Sequence, residues 1–113
     1  MYVVLARWRI AAGQVERVLE LGRQMETHSR QEPGCRAYVV NQLIDDPEVV
    51  VLYEQYDDEA AFKEHLASEH FQRIVLPQIV PLLAERSRET FRTLDYVPSG
   101  GRSKRVGPDC RNG

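Results

Sequence analysis

Two histidines five positions apart, His65 and His70, follow closely on the run Tyr53-Glu54-Gln55-Tyr56. Imidazole titrates near neutral pH, so it can take up or return a proton during a reaction. A carboxylate beside it, such as Glu54, can orient the ring or act as the base itself. The candidate catalytic groups are therefore His65, Glu54 and His70. Trp8, Tyr38, Tyr56 and Phe71 are candidate walls for a small substrate. Each has an ordinary structural alternative. His65 can be a polar residue at the edge of a core, and His70 can start a helix. Glu54 can pair with Arg7 or Arg9 across a sheet. Trp8 and Tyr38 can be plain core, His28 is read as helix packing, and Ser68 suits a cap better than a nucleophile because no serine-elbow pattern surrounds it.

A metal is not expected. No third ligand is evident, and the helical H-x-x-x-H and H-E-x-x-H spacings are absent. There is no GxGxxG and no phosphate loop, so neither a flavin nor a nicotinamide site can be argued. An enzyme with this inventory works with side chains and a reactive substrate, and the expected cofactor is none.

These residues need elements to hold them. Tyr2 to Ile10 alternates, with Tyr2, Val4, Ala6, Trp8 and Ile10 on one face, and reads as a strand. Gln14 to about Arg30 is a helix whose stripe is Val15, Val18, Leu19, Gly22 and Met25, widened by Leu21. Glu32-Pro33-Gly34 stops it. Cys35 to about Ile44 and Val49 to Tyr56 are two strands joined at Asp45-Asp46-Pro47, an antiparallel hairpin. Asp57 or Asp58 can cap a second helix running to about Ala67. Another helical segment begins near His70 and should run to about Leu76, with a bend or a new start at Pro77. A last strand is expected from about Arg88 to Tyr96.

The order β-α-β-β-α-β is the ferredoxin-like arrangement of the α+β class: two helices on one face of a four-stranded antiparallel sheet. The other face stays partly apolar and needs a cover, which a second copy of the chain can supply. A homodimer is expected. The chain of 113 residues suits one domain over residues 1–96. Residues 97–113 form a basic tail in which Arg102, Lys104, Arg105 and Arg111 face only Asp109, on an otherwise acidic body.

Net charge of −2 argues against a dedicated nucleic-acid partner. No apolar run reaches the ~20 residues of a membrane span, and the N-terminus is too short and charged for a signal peptide. Cys35 and Cys110 have no metal or redox spacing. The expected setting is the cytoplasm, with both thiols reduced.

The stretch YEQYDDEAAFKEHLASEHFQRIVLPQIVPLLAE, from Tyr53 to Glu85, resembles the antibiotic biosynthesis monooxygenase family. The carriers are the YE-x-Y of the third strand, an acidic turn, and H-x-x-S-x-H-F at the helix break. The EPGC turn, Glu32 to Cys35, fits too, and the resemblance covers about residues 1–96. It implies a ferredoxin-like protomer and a dimeric α/β barrel. Branches of that family oxidise anthrones or quinols with molecular oxygen and no cofactor, isomerise a phosphorylated sugar, or degrade haem. The haem branch is disfavoured, because its asparagine, tryptophan and histidine correspond here to Ala6, His65 and Val75. Tyr53, Glu54, His65, His70 and Phe71 match the quinol-oxidising and isomerase-like branches alike.

The resemblance implies a cofactor-independent monooxygenase of a small quinol- or anthrone-like substrate. Two alternatives remain: a proton-transfer isomerase of a small oxygenated metabolite, and a non-catalytic small-ligand-binding dimer. A phosphorylated substrate would need a basic pocket, for which Arg7, Arg9 and Arg36 are the possible sources.

Overall fold

A computed structural model of the chain describes residues 1–95. The tail from 97 to 113, Cys110 within it, lies outside the described residues, as does Tyr96; the last strand ends before it, at Arg92, and not near Tyr96 as expected. The strands are β1 (Tyr2–Ile10), β2 (Cys35–Gln42), β3 (Val49–Tyr56) and β4 (Leu83–Arg92). They form one antiparallel sheet in the order β2-β3-β1-β4. Helix α1 (Val15–Ser29) follows β1, and helix α2 (Glu59–Ala67) is followed by a π-helix, Phe71–Ile79, and a 3-10 turn, Val80–Leu82, that lead into β4. This is the expected ferredoxin-like order.

Local chemistry accounts for most of the boundaries. Gly13 takes the left-handed φ of 83° that turns β1 into α1. The Asp58 carboxylate accepts the Ala61 N–H at 2.9 Å and caps α2. Asp57 instead pairs with Arg36, which lowers its pKa. The Ser68 hydroxyl donates to the His65 carbonyl and accepts from the Phe71 N–H, so it closes one helix and opens the next.

Three boundary expectations are corrected. The helix does not end at Leu76: the segment runs through Pro77 to Ile79 as a wide helix in which the Val80 N–H reaches back five residues to the Val75 carbonyl. The Arg73 carbonyl, which an α-helical Pro77 could not satisfy, accepts from the Gln78 side chain at 3.0 Å. Strand β4 begins at Leu83, five residues earlier than expected, and pairs with β1 from Ile10↔Leu83 to Tyr2↔Arg92. Its charged sequence, LAERSRETFR, lacks the apolar alternation that marks a half-buried strand. Strand β2 ends at Gln42 because successive turns at Asp46 and Val49 follow, and Ile44 stands exposed at the hairpin tip.

The main core lies between α1, the π-helix and the inner sheet face, around Trp8, Ile10, Leu21, Met25, Leu52 and Ile79. A smaller cluster of Val4, Tyr56 and Phe62 fills the other end. Between the two sits His65. The outer sheet face carries Val3, Leu5, Val39, Val51 and Tyr53, all partly exposed, with Phe91 at 44%. No helix among the described residues is long and apolar enough to cross a membrane.

Candidate active site

Glu32 stands at the corner between α1 and β2. Its N–H donates to the Ser29 carbonyl, and its own carbonyl accepts from Cys35. Pro33 cannot continue the helix. Gly34 then passes so close to α2 that a Cβ there would lie 2.6 Å from that of Ala61, and its carbonyl accepts the Asp57 N–H. This close seating brings the Glu32 carboxylate under the end of α2.

There it holds both histidines. Glu32 Oε2 lies 2.9 Å from His65 Nδ1 and 2.5 Å from His70 Nε2. Burial works to raise the Glu32 pKa, but the hydrogen bonds and charge of His65 and His70 outweigh it and hold the carboxyl below its ordinary value. The other His65 nitrogen, Nε2, is 4.0 Å from Glu54 Oε1. Glu54 is 4% exposed, and burial pushes its pKa up against the opposing pull of His65, Tyr56 and Arg88. The Tyr56 hydroxyl donates to Glu54 Oε1 at 2.7 Å. Burial and that carboxylate raise the Tyr56 pKa far above a free phenol.

His65 itself is 2% exposed. Its ring is boxed by Tyr56, Tyr38 and Phe71, with centroids 5.4–5.7 Å away, and stacks near Phe62 at 6.2 Å. One side opens on a cavity of about 460 Å³. A closed core around His65, the simplest structural reading of that residue, is therefore not what forms.

The structure brings five of the seven sequence-chosen residues to this cavity: His65, Glu54, Trp8, Tyr38 and Phe71. The other two stand behind them. Tyr56 is fully buried against Glu54. His70 is held by Glu32 and stacks on His28 at 5.4 Å. His28 is exposed on α1 and stacks on His70. Glu54 does not pair with Arg7 or Arg9: it faces inward opposite Val4, while Arg9 bonds Asp46 on the hairpin.

Sequence reasoning missed three contributors. Glu32 was legible only as a helix stop; nothing in one sequence ties it to a histidine 33 positions later. Arg86 and Arg88 line the cavity from β4, and the guanidinium of Arg88 sits 5.1 Å from the Phe62 ring centroid. Their signal was the alternation Arg86-x-Arg88, hidden by a strand start placed too late. Arg36, considered as a source of a basic pocket, is taken by Asp57, and Arg7 and Arg9 are not in the cavity lining.

Glu32 also supplies the third group that a metal reading lacked. Its oxygen and the two imidazole nitrogens lie within 4.8 Å of one another. The two N···O separations are hydrogen-bond lengths, shorter than the ~3.3 Å between ligand atoms around a tetrahedral zinc. As arranged, the three groups form a hydrogen-bonded network.

The model of the family named for antibiotic biosynthesis monooxygenase matches residues 1–75. The chain belongs to that family. The crystal structure of one antibiotic biosynthesis monooxygenase superposes with a TM-score of 0.79 at 33% identity, covering 83% of this chain and 99% of that one. A Nitrosomonas europaea protein gives 0.80 at 26% identity over 83% and 99% of the two chains. A Mycobacterium tuberculosis protein gives 0.78 at 28% identity over 84% and 96%. No curated relative matches the chain. What this antibiotic biosynthesis monooxygenase family member shares with these structures is the fold of its described body.

Proposed function

We propose that this chain is a cofactor-independent monooxygenase of a small quinol- or anthrone-like substrate, working as a homodimer. The observation that carries the reading is His65. One nitrogen is fixed by the Glu32 carboxylate, and the other faces Glu54 at the wall of an aromatic cavity. With Nδ1–H donated to Glu32, Nε2 keeps its lone pair and can take a proton. Glu54, its pKa raised by burial, is the partner suited to hold and return a proton at that wall.

The substrate can supply the electrons. In an anthrone, the ring carbon bearing two hydrogens loses one as a proton to the base, and the resulting carbanion passes an electron to oxygen. The radical pair joins as a peroxide. Loss of the second proton with hydroxide then leaves a carbonyl and one water, so no outside reductant is consumed. Trp8, Phe62 and Phe71 keep bulk water from the ring while this happens.

The homodimer is supported by the outer sheet face, where Val3, Leu5, Val39 and Phe91 lie uncovered. Light scattering at micromolar concentration should give twice the chain mass, and a monomer would overturn this part. A cytoplasmic setting belongs to the same reading. Burial and Glu32 push the Cys35 thiol up to about 11, which keeps it protonated there.

The test is oxygen uptake with a panel of anthrones and hydroquinones. Uptake that disappears in His65→Ala supports the proposal, and no uptake across the panel sinks it. Undiminished turnover of the same compounds without oxygen would favour the alternative, a proton-transfer isomerase using the same base.

A further inference from the structure

We propose that Arg86 and Arg88 form an anion-binding subsite in the cavity, so that the substrate is an aromatic body carrying a carboxylate. The inference deepens the monooxygenase reading and rests on it for the chemistry at His65, but not for the binding itself.

Alternation puts the two side chains on one face of β4, about 7 Å apart. Arg86 is registered opposite Trp8 and Arg88 opposite Ala6, and both β1 residues line the cavity. Glu85 and Glu89 occupy the odd positions, registered with Arg9 and Leu5, and turn to the other face. Each arginine is thereby separated from the acids of its own strand. Arg9, Arg30 and Arg36 all sit against a carboxylate, whereas neither Arg86 nor Arg88 is in an ion pair among the described residues. Among the described residues the one carboxyl lining the cavity is Glu54, which is buried on β3 and bonded by Tyr56.

The charge available to a ligand at this wall is therefore positive. The remaining lining is dominated by rings and aliphatic groups: Trp8, Phe62, Leu66, Phe71 and Val75. A planar guanidinium takes a carboxylate through two parallel N–H···O bonds. Arg88 already lies over Phe62. A flat aromatic acid entering between the ring walls would meet the arginines at one end and His65 at the other. That places its reacting carbon on the side of the ring opposite the carboxylate.

The probes are 3-hydroxy-2-naphthoate and its uncharged isostere 3-hydroxy-2-naphthamide, titrated calorimetrically into the full chain. The carboxylate should bind about tenfold more tightly than the amide. That preference should shrink as salt is raised. The Arg86→Gln/Arg88→Gln double variant should lose the preference while binding the amide as before. Arg88→Lys, which keeps the charge and loses the fork, should retain part of it.

Equal binding of the two probes, no binding of either at millimolar concentration, or an undiminished preference in the double variant would each overturn the subsite. Circular dichroism checks that the variants are folded. The two proposals fail separately. A carboxylate preference without oxygen uptake from any substrate removes the monooxygenase and leaves the subsite. Uptake from neutral substrates with no carboxylate preference does the reverse.

Discussion

The cavity has two walls of opposite construction. On the inner wall, β3 and α2 present Glu54 and His65 already engaged: one bonded by Tyr56, the other by Glu32, and both nearly inaccessible to water. On the outer wall, β4 presents Arg86 and Arg88 exposed and, among the described residues, in no ion pair. A group whose position must be exact is held by several others, each of which loses its own partner if it moves. A group that greets a variable ligand is left with its bonding capacity unspent. The difference separates what fixes the chemistry from what selects the substrate.

Breaking the inner wall should cost most. His65→Ala removes the proposed base and should lower kcat for oxygen uptake by about 10²–10⁴-fold. It also strips Glu32 and Glu54 of their shared neighbour, with a stability loss of about 2–4 kcal/mol in urea unfolding. Normal stability in that variant would show the inner wall to be no more anchored than the outer.

Glu32→Gln keeps the shape and removes the charge. It should reduce kcat by about 10–10²-fold, by analogy with other partners that orient an imidazole, with KM little changed. Its stability effect has a defined pH dependence. The folded Glu32 pKa is below its ordinary 4.5. The stabilisation is therefore fully present above that ordinary value and is lost as pH falls through the lowered one. The gap in melting temperature between the native chain and the variant should be open at pH 7 and should close as pH falls below the ordinary 4.5 and through the lowered folded value. A gap that widens toward acid would contradict the carboxylate–imidazole assignment.

Gly34→Ala tests how the inner wall is seated. The added methyl meets Ala61 and should cost about 1–3 kcal/mol, largely restored by Ala61→Gly in the same chain. At the small end, Arg86→Gln/Arg88→Gln should change stability by no more than about 0.5 kcal/mol, because both side chains are exposed and hold no ion pair among the described residues, which leaves the contact of Arg88 with the Phe62 ring to lose. A large destabilisation there would erase the contrast between the walls.

The inner wall was largely legible in the sequence and the outer one was not. Glu54 and His65 declared themselves by type and by their place on a strong strand and a capped helix, and Trp8 by strict alternation along β1. Glu32 escaped because its turn chemistry, Glu-Pro-Gly, explains the residue fully as a helix stop; its second use exists only after the turn folds onto α2. Tyr56 and His70 were rightly drawn to the same neighbourhood but serve behind the cavity, since spacing along a chain does not say which side of a ring a residue occupies. Strand β4 was displaced because an exposed edge strand needs no apolar face, and so leaves little period-two hydrophobic signal. Pro77 misled for a different reason: a proline breaks an α-helix, but a wider one accommodates it.

That wide helix carries one more consequence. It spends a set number of residues, Phe71 to Ile79, between the fixed end of α2 and the start of β4. Shortening it by a single residue, with both ends kept in place, would advance β4 by one step against β1. Ser87 would then stand opposite Trp8, and Glu89 opposite Ala6. The basic side of the cavity would become hydroxylic and acidic without one substitution in the strand. The length of the segment is in effect a counting device: it sets the sign of the charge the ligand meets, and a lineage that gained or lost one residue there would change its choice of molecule before it changed its chemistry.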